Sequence, residues 1–374
     1  MEKNLELFLD NEKAVVSVPK QFFEGDYTEK DLERALSSIE NKFVRKYVLE
    51  KYSEYTKIGF PIWKRLKINS LSLPEYKYEG YFKGVEEDLD LIDFEGTHRK
   101  YVLLSDIFSS MGEYIKVDNE KDVKVEYIDR ITNDVYKVNG KLVLVRILKT
   151  NNFSNNTLRV VAEDNAEVEI YNIHVSEENS FSVDNIFIMV EDKVQVKVRD
   201  IYIGEGKVAG YLGVKMNGNE SNVDVKPYFL GSKSAIFDLQ YLLRFVGLEN
   251  KGSIKAEGAL SDEAKVVFRG ILDLKRGAKN SEAEEMERCI LLSKDSKMEA
   301  IPSLLVDENE VTASHAASSA PLDEDAIFYL MSRGFNRKEA KSFILNGIFE
   351  NLINELSVFG LEEVVKNALK KYIE

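Results

Sequence analysis

His315 and Cys289 are the side chains in this sequence whose types could hold a transition metal. His315 is one of three histidines, and Cys289 is the single cysteine. The segment around His315 consists mainly of small residues, which leaves the imidazole uncrowded, and a neutral imidazole is a competent iron ligand. Val311, Ala313 and His315 share one parity, so an extended segment points all three side chains to one face.

Each of these residues also has a structural interpretation. A lone histidine on a strand is more often structural or at the surface than a metal ligand, and a lone cysteine is commonly a small core residue. One thiol cannot form an internal disulfide or a CxxC site, which is typical of a reduced intracellular protein. His98 and His174 have no ligand partner at a useful spacing, so both are predicted to be structural.

The composition describes a folded, acidic chain. Of its 374 residues, 44% are hydrophobic, which excludes global disorder and allows two or three structural units around a large core. The net charge of −14 repels phosphate backbones, so no nucleic-acid partner is expected. The short basic run at residues 64–67 is interpreted as a solvated face.

No membrane or targeting signal is visible in the sequence. No apolar run approaches the roughly 18 residues of a membrane span, and the charged first residues lack a signal-peptide core. We therefore expect a soluble, cytoplasmic protein with no membrane partner. The sequence also contains no Walker motif and no GxSxG motif, so neither ATP hydrolysis nor a catalytic triad is expected of this chain.

Residues 1–100 are predicted to be mixed, with helix dominant. Thr28 and Asp31 resemble a capping box, and the helix that follows carries one apolar stripe. That stripe consists of Leu32, Leu36, Ile39, Phe43, Val44, Tyr47 and Val48. Gly59 and Pro61 then break the helical pattern. The acidic cluster at residues 86–90 lacks the spacing of a calcium loop and is interpreted as a solvated loop.

Residues 101–318 are predicted to consist of short β strands. Alternating apolar runs recur at a spacing of roughly ten residues, separated by turns rich in Asn, Gly, Asp and Ser. These runs begin at Leu158, Val168, Ile186, Val194, Val223, Ile254 and Val266. The pattern suits stacked or layered strands, and it allows a sandwich, a barrel or a β-helix. Periodicity alone does not choose among the three.

Residues 319–374 are predicted to form three helices. Pro321 closes the strand pattern, Asp323 is suited to cap the first helix, and Gly334 is placed to end it. A second capping box, Asn336 to Glu339, begins the next helix. Three short helices cannot bury all of their apolar surface among themselves, so part of it must dock on the strands or on a partner.

Seven short segments near the C terminus match a known signature. They are Ile301-Pro302, Ser314-His315, Leu322-Asp323-Glu324, Ile327-Phe328-Tyr329-Leu330, Ser332-Arg333-Gly334, Glu339-Ala340 and Asn346-Gly347. A weaker match is the Gly-x-Pro-x-Trp turn that ends at Trp63. The pattern resembles the SufB/SufD family of iron–sulfur cluster assembly proteins. The resemblance implies a mainly β fold, with a right-handed parallel β-helix core and helical ends.

The resemblance also implies partners and a site. It places a cluster-assembly site at the interface between two β-helices, with His315 as an iron ligand, and it implies a transient iron–sulfur cluster. Because iron–sulfur clusters are usually bound by cysteine thiolates, a ligand set made from this chain alone would use Cys289 from each protomer. The helical end is where a SufC-like ABC ATPase binds in this family, which implies a partner face formed by Asp323, Phe328, Tyr329, Arg333, Gly334 and Phe335.

Two positions make the chain more similar to SufD than to SufB. Val306 stands where SufB-type proteins carry a cysteine, and Ala316 stands where SufB-like members carry a glutamate after the histidine. The second β-helix of the complex is therefore expected to be another SufBD-like subunit, with a copy of the same chain favoured.

The predicted function is that of a non-enzymatic scaffold subunit in a Suf-type complex that delivers clusters to acceptor proteins. Two alternatives stay open. One is a carbohydrate-active β-helix enzyme, which would use clustered carboxylates along one face. The other is a structural partner of an ATPase that never touches iron.

Overall fold

The computed structural model describes residues 2–9, 12–19, 26–68, 73–75, 77, 79–83, 85, 89 and 91–371. The acidic residues of the cluster at 86–90 lie outside the described residues, so the loop interpretation is not tested there. Within the described ranges, the chain contains strands and helices at its N-terminal end, a long run of parallel strands, and helices at its C-terminal end.

The N-terminal region combines a β hairpin with three helices. The hairpin pairs β1 (Glu2–Leu9) with β2 (Glu12–Pro19) in antiparallel register, and the helical prediction for this region did not include it. The next elements are α1 (Glu29–Ser38), α2 (Lys42–Tyr55), β3 (Gly80–Lys83) and α3 (Arg99–Phe108).

The capping box at the start of α1 is confirmed, but the single helix expected to follow it is wrong. Thr28 and Asp31 exchange both capping contacts. The helix then ends at Ser38, and Asn41 starts a new one by accepting hydrogen bonds from the backbone N–H groups of Phe43 and Val44. The apolar stripe runs across two helices because an Asn side chain satisfies the free N–H groups of a helix start.

Sheet I is built from the even-numbered strands β4 to β18, with β3 and β19 in addition. Its strands are β4 (Met111–Val117), β6 (Ile131–Val138), β8 (Phe153–Ala162), β10 (Phe181–Val190), β12 (Lys207–Met216), β14 (Ile236–Phe245), β16 (Lys265–Leu274), β18 (Lys297–Ala300) and β19 (Ser303–Val306).

Sheet II is built from the odd-numbered strands and ends with β20. Its strands are β5 (Glu120–Ile128), β7 (Lys141–Thr150), β9 (Glu167–Ser176), β11 (Gln195–Gly204), β13 (Asn222–Gly231), β15 (Lys251–Leu260), β17 (Glu282–Leu291) and β20 (Thr312–Pro321).

Alternation between the two sheets makes the chain coil. Consecutive strands belong to different sheets, while strands two apart along the chain pair in parallel. Seven runs singled out from the sequence fall in or directly against these strands, and a parallel arrangement excludes the sandwich and the up-and-down barrel. The mainly β fold with a parallel β-helix core and helical ends is therefore confirmed.

The coil interior is filled by alternate side chains of both sheets. Residues of one parity in each strand point inward, because successive side chains of a strand point to opposite faces. A single buried apolar cluster runs through the coils, from Val117 and Tyr136 at one end to Leu274 and Cys289 at the other. This repeating row explains why the apolar alternation is visible in the sequence.

The C-terminal helices pack on the outer face of sheet II. They are α4 (Glu324–Ser332), α5 (Arg337–Ser357) and α6 (Glu362–Lys371). Phe349, Leu352 and Leu369 share a buried cluster with outward side chains of the sheet, including Tyr171 and Ile201. The expectation that part of the helical apolar surface docks on the strands is confirmed. No helix in the described part of the chain is long and apolar enough to cross a membrane.

The expected division into units at 1–100, 101–318 and 319–374 stays a prediction. Its first boundary falls within α3 and its second within β20, so the elements continue across both positions. The capping residues of the C-terminal region are confirmed: Asp323 caps α4, and Asn336 and Glu339 form the capping box of α5. Gly334, with φ of 103°, ends α4 in the left-handed region.

Candidate functional site

The C-terminal end of the β-helix is open. Sheet I finishes there in two four-residue strands, β18 and β19, and sheet II finishes in the ten-residue strand β20. In the described structure β20 pairs with β17 along one edge and lies last in its sheet. Residues 314–321 are all exposed, so β20 is an accessible edge strand rich in Ala and Ser.

His315 lies near the middle of this edge strand. It is exposed, and its in-register neighbour on β17 is Glu285. Val311 and Ala313, which share its parity, pack against the apolar core. Since paired residues on parallel strands point to the same face, His315 lies on the interior-facing side of an incomplete coil. The imidazole is uncrowded, as the small flanking residues predicted.

Two glutamates that sequence reasoning missed lie beside His315. Glu285 and Glu287 on β17 are 1% and 0% exposed and point inward. Burial raises the pKa of both carboxyls, and because Glu287 also faces Glu285, its pKa rises to about 9. The signal was present in the sequence: both residues share the parity of Ala283 and Cys289, which form the apolar row of the strand.

Cys289 and His315 are not brought together. Cys289 pairs with Ser319, four residues beyond His315, which places the two roughly 13 Å apart along the strands at about 3.3 Å per residue. The thiol is buried in the apolar core, and burial raises its pKa to about 12, which disfavours the thiolate that iron prefers. The role of Cys289 as a ligand therefore stays a prediction, and it requires the thiol to become exposed.

The predicted partner residues on α4 form an exposed surface. Phe328 is 72% exposed, and Tyr329 and Phe335 are also exposed. The Arg333 guanidinium lies over the Tyr329 ring at 5.2 Å and donates a hydrogen bond of 3.1 Å to its hydroxyl group. Asp323 and Gly334 shape the two ends of the helix rather than contribute apolar area.

Two further residues extend this surface. Phe343 on α5 is 60% exposed, and its ring lies 5.8 Å from that of Phe335. Met331 is exposed on α4. We call the surface the aromatic face, which comprises Phe328, Tyr329, Met331, Phe335 and Phe343. An apolar patch of this kind, rimmed by charged residues, is typical of a protein-binding site.

A second polar group lies deep inside the β-helix. We call it the sealed cluster: it comprises Arg146, Asn172, His174, Asp184 and Asp200, all of which are buried. Among the described residues, His174, Asp184 and Asp200 are the group whose potential ligand atoms all lie within 4.8 Å of one another.

The sealed cluster satisfies its own charges. The guanidinium of Arg146 donates to Asn172 at 3.1 Å, and it lies 3.5 Å from Asp184. Asp200 accepts hydrogen bonds from the hydroxyl groups of Tyr202 and Tyr241. Burial acts to raise the pKa of Asp200, but the hydrogen bond and charge of His174 outweigh it and leave the pKa below its ordinary value. The arrangement is that of a closed ion network.

His98 has the structural position that the sequence predicted, whereas the structure gives His174 two carboxylate neighbours, Asp184 and Asp200, that sequence spacing did not indicate. His98 caps α3, where its Nδ1 accepts a hydrogen bond of 3.2 Å from the backbone N–H of Lys100. The imidazole of His174 stacks on the ring of Tyr202 at 4.3 Å inside the sealed cluster. Neither ring lies at the open end of the β-helix.

The comparisons with known proteins agree with the fold and with the C-terminal signature. Residues 112–348, well over half of the chain, match the family model described as SUF system FeS cluster assembly, SufBD core domain. This range begins in β4 and ends in α5, so it includes the β-helix, the edge strand with His315, and the aromatic face.

Curated relatives carry the same description. The chain is 34% identical to the iron–sulfur cluster assembly protein SufD of Bacillus subtilis over 128 residues, which cover 34% of this chain and 29% of the relative. It is 30% identical over 151 residues to a SufBD family protein of Pyrococcus horikoshii, covering 40% and 33%, and 25% identical over 155 residues to SufD of Escherichia coli, covering 40% and 36%.

The chain thus spans about a third of the length of the curated relatives that it matches. The family model covers far more of the chain than these pairwise matches do, and it includes every coil from β4 onward. On that ground, this chain belongs to the SufBD family of iron–sulfur cluster assembly proteins.

Proposed function

We propose that this chain is a scaffold subunit of a Suf-type iron–sulfur assembly complex, which holds the cluster as cargo. Family membership supports a role in cluster assembly. The single observation that carries the scaffold role is the open end of the β-helix, where a ten-residue edge strand presents His315 to solvent. The site is half of an interface, and a second subunit would complete it.

The second subunit pairs with β20. The free edge of this strand carries backbone N–H and C=O groups that are a ready template for another strand. Its Ala and Ser side chains allow close approach, and all residues from 314 to 321 are exposed. A two-fold axis through the edge would pair two copies and bring two His315 side chains to one interface. The proposed partner is therefore a SufBD-like subunit, with a copy of this chain favoured.

A SufC-like ABC ATPase binds the aromatic face. α5 and α6 pack firmly on sheet II, and Arg199 of the sheet donates a hydrogen bond of 2.8 Å to Glu355 of α5. A movement of the C-terminal helices would therefore be transmitted directly to the β-helix. ATP hydrolysis takes place in the partner, and its closure would move two docked β-helices and open or assemble the site around His315. Acceptor proteins then receive the cluster.

Docking is tested by size-exclusion chromatography of the chain mixed with a SufC-like ATPase. The double variant F328S/F343S removes two exposed rings of the aromatic face and is expected to abolish co-elution. Leu49→Ser is the matched control, because Leu49 is a comparably exposed apolar residue on α2. If the wild-type chain fails to co-elute, or if the control loses binding as the double variant does, the docking proposal is wrong.

Cluster handling is tested by anaerobic reconstitution of the assembled complex with iron and sulfide. His315→Ala is expected to remove most of the cluster absorbance, and Cys289→Ser tests the thiol ligand separately. Full absorbance in the His315 variant would remove this residue as a ligand. A complex that assembles but never acquires absorbance would favour the iron-free ATPase partner, and polysaccharide turnover by the chain would favour the carbohydrate enzyme.

A further inference from the structure

The carboxylate pair, Glu285 and Glu287, lies inside the last coils of the β-helix. On β15 its in-register neighbours are Ile254 and Ala256, both buried and apolar. On β20 the neighbour of Glu285 is His315. Along sheet II, the pair therefore has hydrocarbon on one side and a single imidazole on the other, next to solvent.

Sheet I leaves room for one of the carboxylates. Gly270 on β16 lies across the interior, and a Cβ atom built on it would overlap the Glu285 carboxylate. The Glu285 side chain therefore reaches across the coil to the opposite sheet. The absence of a side chain at Gly270 thus leaves the space that the Glu285 carboxyl group occupies.

The pair has no protein donors. None of the four carboxylate oxygens has a hydrogen-bond partner among the described residues, apart from a proton that the two carboxyls can share. Leaving buried acceptors unsatisfied costs about 1–3 kcal/mol each, and ionised ones cost more. In the sealed cluster, by contrast, Asp184 is matched by Arg146 and Asp200 by tyrosine hydroxyl groups. Among the described residues, the pair therefore has no cationic partner besides His315.

We propose that Glu285, Glu287 and His315 bind one divalent cation at the mouth of the β-helix, with the two carboxylates as the inner ligands and the imidazole as the outer one. Two carboxylate groups and an imidazole suit ferrous iron and other first-row divalent ions. Identification of the ion as ferrous iron rests on the proposed function. The cation replaces the proton shared by the carboxyls, and an exposed imidazole is free to turn toward it.

The imidazole completes the site by rotation. In the present arrangement the three side chains are not all within 4.8 Å of one another, which only the trio in the sealed cluster achieves among the described residues. His315 is exposed on a strand of small residues, so we expect its ring to have room to rotate. The carboxylates would hold the ion first, and His315 would present it at the subunit interface.

Anaerobic titration of the isolated chain with ferrous ions, by calorimetry, tests this site, and the electron paramagnetic resonance signal of added Mn²⁺ gives a second readout. We expect one ion per chain, binding at least tenfold weaker in E285Q/E287Q, and a smaller loss in H315A. The control is E282Q/E284Q, which changes two outward-facing glutamates of the same strand that pair with Lys251 and Lys255.

Wild-type affinity in E285Q/E287Q, or an equal loss in the control, would overturn the site. If E285Q/E287Q fails to fold, Gly270→Ala takes its place, because the new methyl group displaces the Glu285 carboxylate. ATPase co-elution separates this inference from the proposed function. If E285Q/E287Q loses ion binding but still co-elutes with the ATPase, the result supports the cation site. If the wild-type chain binds the ion but never co-elutes with the ATPase, only the proposed function is contradicted.

Discussion

The sealed cluster and the carboxylate pair are two polar groups in the interior of the same β-helix, and they differ in how their charge is matched. In the sealed cluster, Arg146 faces Asp184, and Asp200 receives two tyrosine hydroxyls. In the pair, Glu285 and Glu287 face each other and Gly270. The carboxylates of the first group are matched within the protein, while those of the second are not.

The sealed cluster and the carboxylate pair also differ in their distance from solvent. The sealed cluster lies on β7, β9, β10 and β11, with further coils on both sides, so solvent has no short route to it. The pair lies one strand from the open end, beside an exposed histidine. A buried charged group that is balanced serves the fold, whereas one that is unbalanced and near an opening indicates a ligand.

The largest expected effect comes from breaking the balance of the sealed cluster. Arg146→Leu leaves Asp184 without its cation and removes the positive charge beside Asp134, so the free energy of unfolding should fall by about 3–5 kcal/mol. Urea denaturation followed by circular dichroism measures this. Lys149→Leu on the same strand is the control, because Lys149 forms an exposed pair with Glu126 that is worth about 0–1 kcal/mol. If the two variants were equally stable, the buried charge of Arg146 would matter no more to the fold than the exposed pair of Lys149.

A pH-dependent effect is expected at Asp134, which borders the sealed cluster and acts on Arg146. Burial raises the pKa of Asp134 to about 6, against the opposing charge of Arg146. Because the protonated form is favoured in the fold, this contribution to stability is complete below about pH 4 and is lost as the pH rises through about 6.

The corresponding variant is Asp134→Asn, which cannot titrate. The stability of the wild-type chain relative to this variant should fall by about 2 kcal/mol between pH 4 and pH 7. Urea unfolding at several pH values measures the difference. A flat profile for Asp134→Asn would show that the carboxyl has no raised pKa.

At the open end, Gly270→Ala should have a smaller effect. The new methyl group overlaps the Glu285 carboxylate, which is the movable end of a side chain, so we expect a loss at the lower end of the range for overpacking, about 1 kcal/mol. In a chain that already carries Glu285→Ala, Gly270→Ala should cost no stability. A double-mutant cycle, with the free energy of unfolding measured in urea, tests this. Additive losses would mean that Gly270 is not there to accommodate the carboxylate.

The smallest expected effect is a gain in stability, at Glu287. With a pKa of about 9, Glu287 takes up a proton on folding at neutral pH, whereas the amide of Glu287→Gln can donate to Glu285 without that proton uptake, so stability should rise by about 1 kcal/mol. Glu284→Gln, which loses an exposed ion pair with Lys255, should leave stability unchanged or slightly lower. Destabilisation by Glu287→Gln would instead assign the pair to the fold.

Much of the fold was predictable because its signals are local. Strand alternation from Leu158 to Val266 and the caps at Asp323 and Asn336 each depend on neighbours within a few residues. Recognising a β-helix requires knowing which strands pair, and the apolar alternation of a sequence does not reveal strand pairing. The resemblance supplied that choice. The break between α1 and α2 was missed because the apolar stripe continues through Asn41, the residue that caps the second helix.

The candidate site was predictable only in part. The small residues around His315 predicted an accessible ring, and they are exposed. The glutamates beside it could not be found by proximity in sequence, since strand pairing brings Glu285 next to a residue thirty positions away. Cys289 was singled out by its type alone, and its burial depends on which parity of β17 faces the interior.

The in-step stacking of β17 and β20 has a consequence for how an isolated chain unfolds. In a repeat-like coil each rung is held only by its neighbours, so the terminal rung is where fraying starts. Here that rung consists of two four-residue strands and one strand whose side chains are solvated. A bound subunit would act as the end cap that the chain lacks, so amide exchange should be fastest in β18–β20 and should slow there as protein concentration rises.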